Sequence, residues 1–373
     1  MLIVTVNSGS TSIKLAAFEL DCATGPRTDL PALAAVHHAG THLEPQAELS
    51  AFLAQLPATP VALAHRVVHG GQRFTHAVRI DAGVRHGIGE LSALAPLHNP
   101  LALRWIDAAS ALCGAGVTQV AVFDTAFFAH LPRVAAEYAL PPALGWDVGV
   151  RRYGFHGLAH EAMWRRWCQL HSALERGGRL ITLQLGGGCS IAALEQGAPR
   201  DTSMGFSPLE GLVMATRCGD IDAAVVPYLA LRLGTDAAHL IESFNREAGL
   251  LGIGGHASPS DLLAVGDERA EQALDLYCYR IRKYIGAYLA VLGGCDGIVF
   301  GGGVGEHVPE VRRRVLAGLD WAGIALDTVA NAAAVGREGR ISAVNSAIAV
   351  WTLCVAEEPL LARAAVVALG PEA

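Results

Sequence analysis

At 373 residues the chain is longer than one ordinary core and points to two domains, taking roughly 100 to 200 residues for each. A composition that is 52% hydrophobic and 17% charged excludes intrinsic disorder and supplies apolar area for a parallel sheet flanked by helices. A formal charge of -7, with 28 Lys and Arg against 35 Asp and Glu and no basic run, argues against a nucleic-acid surface, so an anionic ligand has to be held by a few local Arg and Lys.

The first predicted element is a strand, turn and strand over 2–20, whose tip VNSGSTSIK runs from Val6 to Lys14. Backbone N–H groups in a glycine-containing turn converge on phosphate oxygens, hydroxyls add donors and Lys14 adds charge. Ordinary hairpin tips have the same small polar composition, so this turn alone decides nothing. A strand is expected over 61–68, with Arg66 near its end and a Gly70–Gly71 turn beyond. The planar fork of an arginine there suits a carboxylate or oxyanion, and a surface ion pair is the alternative. His65 and His69 have the i,i+4 spacing of a helical metal pair, but the surrounding valines indicate a strand and argue against zinc.

A helix is expected after HNP, with Asn99 as N-cap, Pro100 in the first helical position and Gly114 near its end. The strand at 119–123 ends at Asp124, on the edge where open α/β sheets bind ligands. A carboxylate there orients or deprotonates a hydroxyl, holds Mg2+ through water, or merely caps a helix. LPPALGWDVGVRRYG (140–154) is the expected boundary between halves, and the adjoining RRYGFHGLAH (151–160) sets Arg151, Arg152 and His156 in a glycine-flanked turn. Helices are expected over 158–173, 221–233 and 268–292.

RLITLQLGGGCSIAALEQG (179–197) repeats the strand, turn and strand of 2–20, which suggests a duplication. DTSMGFSPLEGLVMATRCGDID (201–222) places Arg217 ahead of a cap-like Asp220, and a strand at 297–300 leads into a third small-residue turn, FGGGVGEH (300–307). Three such turns shift the reading towards phosphate or nucleotide contact, although neither the dinucleotide fingerprint nor the P-loop pattern is present. Phosphoryl transfer spreads negative charge over three equatorial oxygens and calls for several cations, a set that Arg66, His156 and Arg217 could supply. The eight cysteines include no C-x-x-C pair and sit in apolar context, which indicates reduced core thiols and a cytoplasmic protein. No signal peptide is expected, and Ile341 to Ala356, with Ser342, Asn345, Ser346 and Thr352, is a buried segment too short to span a membrane.

The blocks VNSGSTSIK, HRVVHGG, APLHNP, VAVFDTAF, RRYGFHG, DTSMGFSPLEGLVMATRCGDID, FGGGVGEH and AEE resemble, in order and over almost the whole chain, those of the acetate and propionate kinases. The resemblance implies an α/β fold, a duplicated ribonuclease-H-like pair of domains with a cleft between them, as in sugar kinases, actin and heat-shock ATPases. It places an N-terminal domain at 1–147, completed by 357–373, and a nucleotide-binding domain at 148–356. It further implies that Asn7 and Glu357 hold Mg2+ or Mn2+, that Lys14, Ser10 and Ser12 line the phosphate path, and that Arg66 meets the acyl carboxylate and the moving phosphoryl group. Asp124 would be the catalytic carboxylate, His156 and Arg217 would stabilise the transition state, and His98 would be a secondary contact. Val68, Leu97, Phe155 and Pro208 would line the acyl pocket. Gln184, Leu185, Gly186, Gly187, Gly188, Asp261, Gly303, Val304, Gly305, Glu306 and His307 would meet ATP or ADP. The partners implied are small molecules, with no membrane and no nucleic acid, in a homodimer.

The sequence departs from that family pattern on the nucleotide side. Gln184 and Gly187 stand where His and Asn are usual, Leu263 replaces an Arg, His307 replaces an Asn, and the usual Thr-Asn before Glu357 is absent. Lost polar contacts of about 0.5 to 1.5 kcal/mol each lead to an expectation of weakened ATP binding, or of another nucleotide or pyrophosphate as donor. A nucleotide-gated ATPase clamp of the same superfamily is the rival from a different functional class.

Overall fold

The computed structural model describes residues 1–9, 12–20, 30–40 and 43–370. Contacts divide the chain into two compact units. The first comprises Met1–Ala129, Phe155–Arg166 and Ala356–Ala373, and the second His130–Gly154 and Trp167–Val355.

The first unit is built on a six-stranded sheet in the order β3-β2-β1-β4-β6-β5, with β1 Leu2–Ser8, β2 Ser12–Glu19, β3 Ala34–Ala39, β4 Ala62–Val67, β5 Val78–Arg79 and β6 Thr118–Phe123. Every residue of β1 from Ile3 onwards is buried, as is all of β4, which is why both read as near-continuous apolar runs rather than alternating ones. β1 and β2 pair antiparallel with Asn7 opposite Lys14, while β1, β4 and β6 run parallel. The helices Pro45–Leu53 and Asn99–Cys113 supply Leu49, Phe52, Trp105 and Ala109 to a core with Val4, Val6 and Leu63, and the helix Glu358–Leu369 packs on β1, β4 and β6. Because the three central strands are parallel and in register, they end on one edge, and that edge carries Asn7, Arg66 and Asp124.

The second unit repeats this plan: its sheet runs β11-β12-β10-β7-β8-β9, with β7 Arg179–Leu185, β8 Cys189–Glu195, β9 Ala198–Thr202, β10 Gly297–Gly301, β11 Gly339–Arg340 and β12 Ala349–Thr352. β7, β8 and β9 form an antiparallel meander, β10 and β12 join parallel to β7, and β11 is an antiparallel edge. Strand for strand this is the first sheet again, so the duplication expected from 2–20 and 179–197 is real. The helix expected over 268–292 is Glu268–Leu292, opened by an Asp267 carboxylate that accepts the Ala270 N–H and closed by Gly293 in the left-handed conformation.

Three local expectations need correction. Asn99 is not the N-cap of its helix: His98 holds that position and Asn99 is already helical, because its amide is engaged with the turn after β4. The helix expected from 221 begins at Val225, and Pro227 belongs to its first turn, where a missing N–H costs nothing. Of the described cysteines, all free, Cys189, Cys278 and Cys295 are buried, Cys113, Cys168 and Cys218 are half-buried, and Cys354 is exposed, so a core position holds for three of them. Cys22 lies outside the described residues. Among the described residues no helix is long and apolar enough to cross a membrane.

Candidate active site

In the first unit the parallel strand ends deliver a buried cluster of opposite charges. Arg66 donates Nε to Asp124 Oδ1 at 3.0 Å and Nη2 to Asp124 Oδ2 at 2.5 Å, a two-pronged pair, and Nη1 to Asn7 Oδ1 at 3.2 Å. Asn7 turns its Nδ2 to Glu357 Oε2 and Glu358 Oε1, both at 2.9 Å, and Glu357 Oε2 lies 3.8 Å from Arg66 Nε. Lys14, opposite Asn7 across the hairpin, reaches Glu358 Oε1 at 3.4 Å. Burial disfavours the charge on Arg66, but the carboxylates of Asp124, Glu357 and Glu358 outweigh it and raise its pKa, so the guanidinium is a permanent cation. Burial also raises the pKa of Glu357; Arg66 pulls it down, and the charges of Asp124 and Glu358 add to the rise. Two cations thus face three carboxylates.

The backbone around this cluster is held by close contacts. Asn99 accepts the His69 N–H on Oδ1 and donates Nδ2 to the His69 carbonyl, both at 3.1 Å, and Thr125 Oγ1 accepts the Gly70 N–H at 2.9 Å. A Cβ at Gly70 would lie 2.5 Å from the Phe74 carbonyl oxygen, and one at Gly157 only 1.9 Å from the carbonyl oxygen of Asp124. Gly157 therefore lets the FHG turn lie directly against the residue that pairs with Arg66. His156, just ahead of it, adopts φ 57°, a left-handed conformation unusual for a side-chain-bearing residue. Phe155 is buried with its ring edge-on to His69 at 5.5 Å, Val68 is buried beside His69, and Leu97 is 52% exposed. His65 is buried in β4, and burial lowers its pKa to about 4 against the partial offset of a bond with the Gln119 amide, so it is a neutral core histidine, as the strand reading of the valines required. Ser12 opens β2 and accepts the Gly9 N–H on its carbonyl at 2.9 Å, whereas Ser10 lies outside the described residues.

The second unit gathers the glycine-rich segments. Gly186–Gly188 form the tip between β7 and β8, where the Gly187 carbonyl accepts the Ala215 N–H at 3.2 Å, which joins the tip to the turn that carries Arg217. Gly302 has φ 74° and a Cβ there would meet the Leu185 carbonyl oxygen at 2.6 Å, so β7 and the segment after β10 need glycine to approach each other. The segment Gly302–His307 is a short helix whose Glu306 Oε1 accepts the N–H groups of Gly302 and Val355 at 3.0 and 3.1 Å. Arg217 donates to the Pro208 carbonyl at 3.1 Å, and burial lowers its pKa. Asp261 is exposed in the first turn of the helix Pro259–Val265.

The acetokinase family profile matches residues 34–363. The chain belongs to the acetokinase family. The acetate kinase of Solibacter usitatus is 44% identical over 307 residues, covering 81% of this chain and 74% of that protein. The acetate kinase of Clavibacter sepedonicus is 41% identical over 99% of each chain. Among solved structures, the acetate kinase of Porphyromonas gingivalis superposes with a TM-score of 0.86 at 33% identity, over 99% of this chain and 100% of that one. A propionate kinase from Francisella tularensis gives 0.87 at 32% identity over 97% and 98%. This acetokinase is accordingly a phosphotransferase whose acceptor is a carboxyl group.

Sequence reasoning singled out Asn7, Lys14, Arg66, Asp124 and Glu357, and the structure brings these together. It missed Glu358, Asn99, Thr125 and Gly157. Each lies inside a motif block, but the partner that gives it a task is 30 to 351 residues away.

Proposed function

We propose that this acetokinase transfers the γ-phosphoryl group of ATP to acetate, giving acetyl phosphate and ADP, and catalyses the reverse reaction. The observation that carries this reading is the buried Arg66–Asp124 pair, set on the strand edge with Asn7 and Glu357. A carboxylate acceptor is ionised at neutral pH, since carboxyl groups titrate at about 4, so its oxygen can attack phosphorus directly without a general base. Asp124 is then best read as the group that holds the Arg66 fork in one orientation. Arg66 binds the acetate carboxylate and offsets charge on the moving phosphoryl, while His156 and Arg217 stabilise the charge of the transition state. His98 is assigned a further polar contact, and Val68, Leu97, Phe155 and Pro208 are the apolar residues assigned to the methyl group. One methylene is worth only about 1 to 3 kcal/mol, so propionate is expected as a second substrate.

Among the described residues no group of three or more His, Cys, Asp and Glu side chains is placed to cage a metal ion. A Mg2+ ion needs only one or two carboxylates besides water and substrate phosphates, and the hard oxygen donors of Asn7 and Glu357, with carboxylates in excess of cations, fit that requirement or Mn2+. Held by Asn7 and Glu357, such an ion would supply positive charge against the negative charge that develops during phosphoryl transfer. Lys14 and Ser12 line the phosphate path, and the segments 184–188 and 303–307, with Asp261, receive the nucleotide. The readings of a different donor and of an ATPase clamp gain no support from relatives that are acetate kinases along their full length.

A cytoplasmic location accords with the free thiols. A homodimer accords with the helix Val225–Leu233 (VVPYLALRL), which is apolar yet has no buried residue, with Leu231 88% and Tyr228 60% exposed. Light scattering should give twice the chain mass for wild type and the single mass for Leu231→Asp; a monomeric wild type would rule the dimer out. The proposed reaction itself predicts ADP release from ATP that requires both acetate and Mg2+. ADP release undiminished without acetate would instead mark an ATPase.

A further inference from the structure

Arg312, in the helix Pro309–Leu316, has no exposed surface and is among the largest fully buried side chains of the protein. A guanidinium has five N–H donors, and all are used. Nε donates to Asn331 Oδ1 at 2.8 Å, Nη1 to the carbonyls of Gly305 at 2.7 Å and Glu306 at 3.2 Å, and Nη2 to those of Asn331 at 2.8 Å and Ala334 at 2.7 Å. Every acceptor is neutral, and among the described residues no carboxylate pairs with this cation. The nearest in sequence, Glu306, directs Oε1 to the N–H groups of Gly302 and Val355 instead. Burial lowers the Arg312 pKa to about 10, which leaves it charged at neutral pH.

Such a side chain is a poor device for stability. Burying a charge costs several kcal/mol that neutral carbonyls only partly offset, and replacing buried ionic groups by apolar ones of similar volume is often neutral or stabilising. Its place is informative. Gly305 and Glu306 belong to the segment 303–307, and Asn331 and Ala334 to the end of the helix Thr328–Ala333, so Arg312 collects the carbonyl ends of two short helices. What those bonds leave over is one unneutralised positive charge directly behind 303–307.

We propose that Arg312 is a positioning residue for nucleotide binding: it fixes the Gly305 and Glu306 backbone from the buried side, and its uncompensated charge favours the polyphosphate chain of the nucleotide. The inference rests on the assignment of 303–307 to the nucleotide. It also answers part of the sequence puzzle, since a buried cation supports phosphate binding where the usual polar residues at 184, 187 and 307 have changed.

The test uses a near-isosteric change in the partner. Asn331→Asp keeps the acceptor for Arg312 Nε and places a carboxylate against the guanidinium, at the loss of the Asn331 Nδ2 bond to the Pro309 carbonyl. Asn331→Ala loses that same bond and also the Oδ1 acceptor of Arg312 Nε, and adds no charge. The Michaelis constant for MgATP should rise about tenfold in Asn331→Asp, the scale of one unit charge acting over about 10 Å at an effective dielectric of about 20. It should stay within about threefold of wild type in Asn331→Ala, with kcat and the acetate Michaelis constant unchanged within about twofold in both. Arg312→Met should raise the MgATP Michaelis constant at least as much as Asn331→Asp, since the bonds to the Gly305 and Glu306 carbonyls go with the charge, and thermal unfolding reports whether each variant folds. Equal nucleotide constants in wild type and Asn331→Asp, or equal rises in the Asp and Ala variants, would overturn the role of the charge. A wild type that does not turn over ATP would defeat the nucleotide assignment itself, and this inference with it, an outcome read before any variant is compared.

Discussion

Arg66→Ala is expected to lower kcat for acetyl phosphate formation by about a thousandfold or more and to lower stability by about 3 to 5 kcal/mol. Both effects come from one arrangement. The guanidinium spans Asp124, Asn7 and Glu357 at the ends of three parallel strands. Among the described residues, its removal leaves the half-exposed Lys14 as the cation paired with the Asp124, Glu357 and Glu358 group. Asp124→Ala alone strands the cation and should cost activity and stability for the mirrored reason. The double variant should regain part of the stability lost by either single change while its activity stays low, because the residues form one unit. Denaturant unfolding and steady-state kinetics on the four proteins check this, and a fully active Arg66→Ala would remove Arg66 from the mechanism.

Arg217→Ala should reduce turnover by a similar factor yet leave stability within about 1 kcal/mol of wild type. Its side chain donates to the Pro208 carbonyl at 3.1 Å and lies 3.8 Å from Met214 Sδ, and burial works against its charge. Such a group does little to hold the fold, which is what a residue reserved for an anion should look like. The contrast with Arg66 is the informative part: two arginines with equal losses of activity and unequal losses of stability. Equal losses of stability would mean that Arg217 braces its loop instead of serving the reaction.

Much of this was legible in one dimension. Apolar runs ending in Asn7, Arg66 and Asp124 show the strand edge directly, because parallel strands buried on both faces leave an uninterrupted hydrophobic signal and put their polar residues at the ends. The duplication was visible because both sheets begin, in chain order, with the same strand, turn and strand. What escaped were residues whose partners lie far along the chain. Asn99 beside Pro100 reads as a cap, but its amide holds His69. Gly157 looks like turn punctuation, whereas its missing Cβ admits the Asp124 carbonyl. Glu358 follows Glu357 as an ordinary first-turn acid, and only the fold brings Asn7 and Lys14 to it. Arg312, inside a run of three arginines, is indistinguishable by sequence from its neighbours Arg313 and Arg314, both of which pair with Glu310.

The most direct test traps the product. Enzyme, MgATP and acetate with hydroxylamine should accumulate acetohydroxamate in step with ADP, faster than with GTP and absent with pyrophosphate as donor. ADP appearing without hydroxamate, or hydroxamate formed from pyrophosphate but not from ATP, would contradict an ATP-dependent acetate kinase.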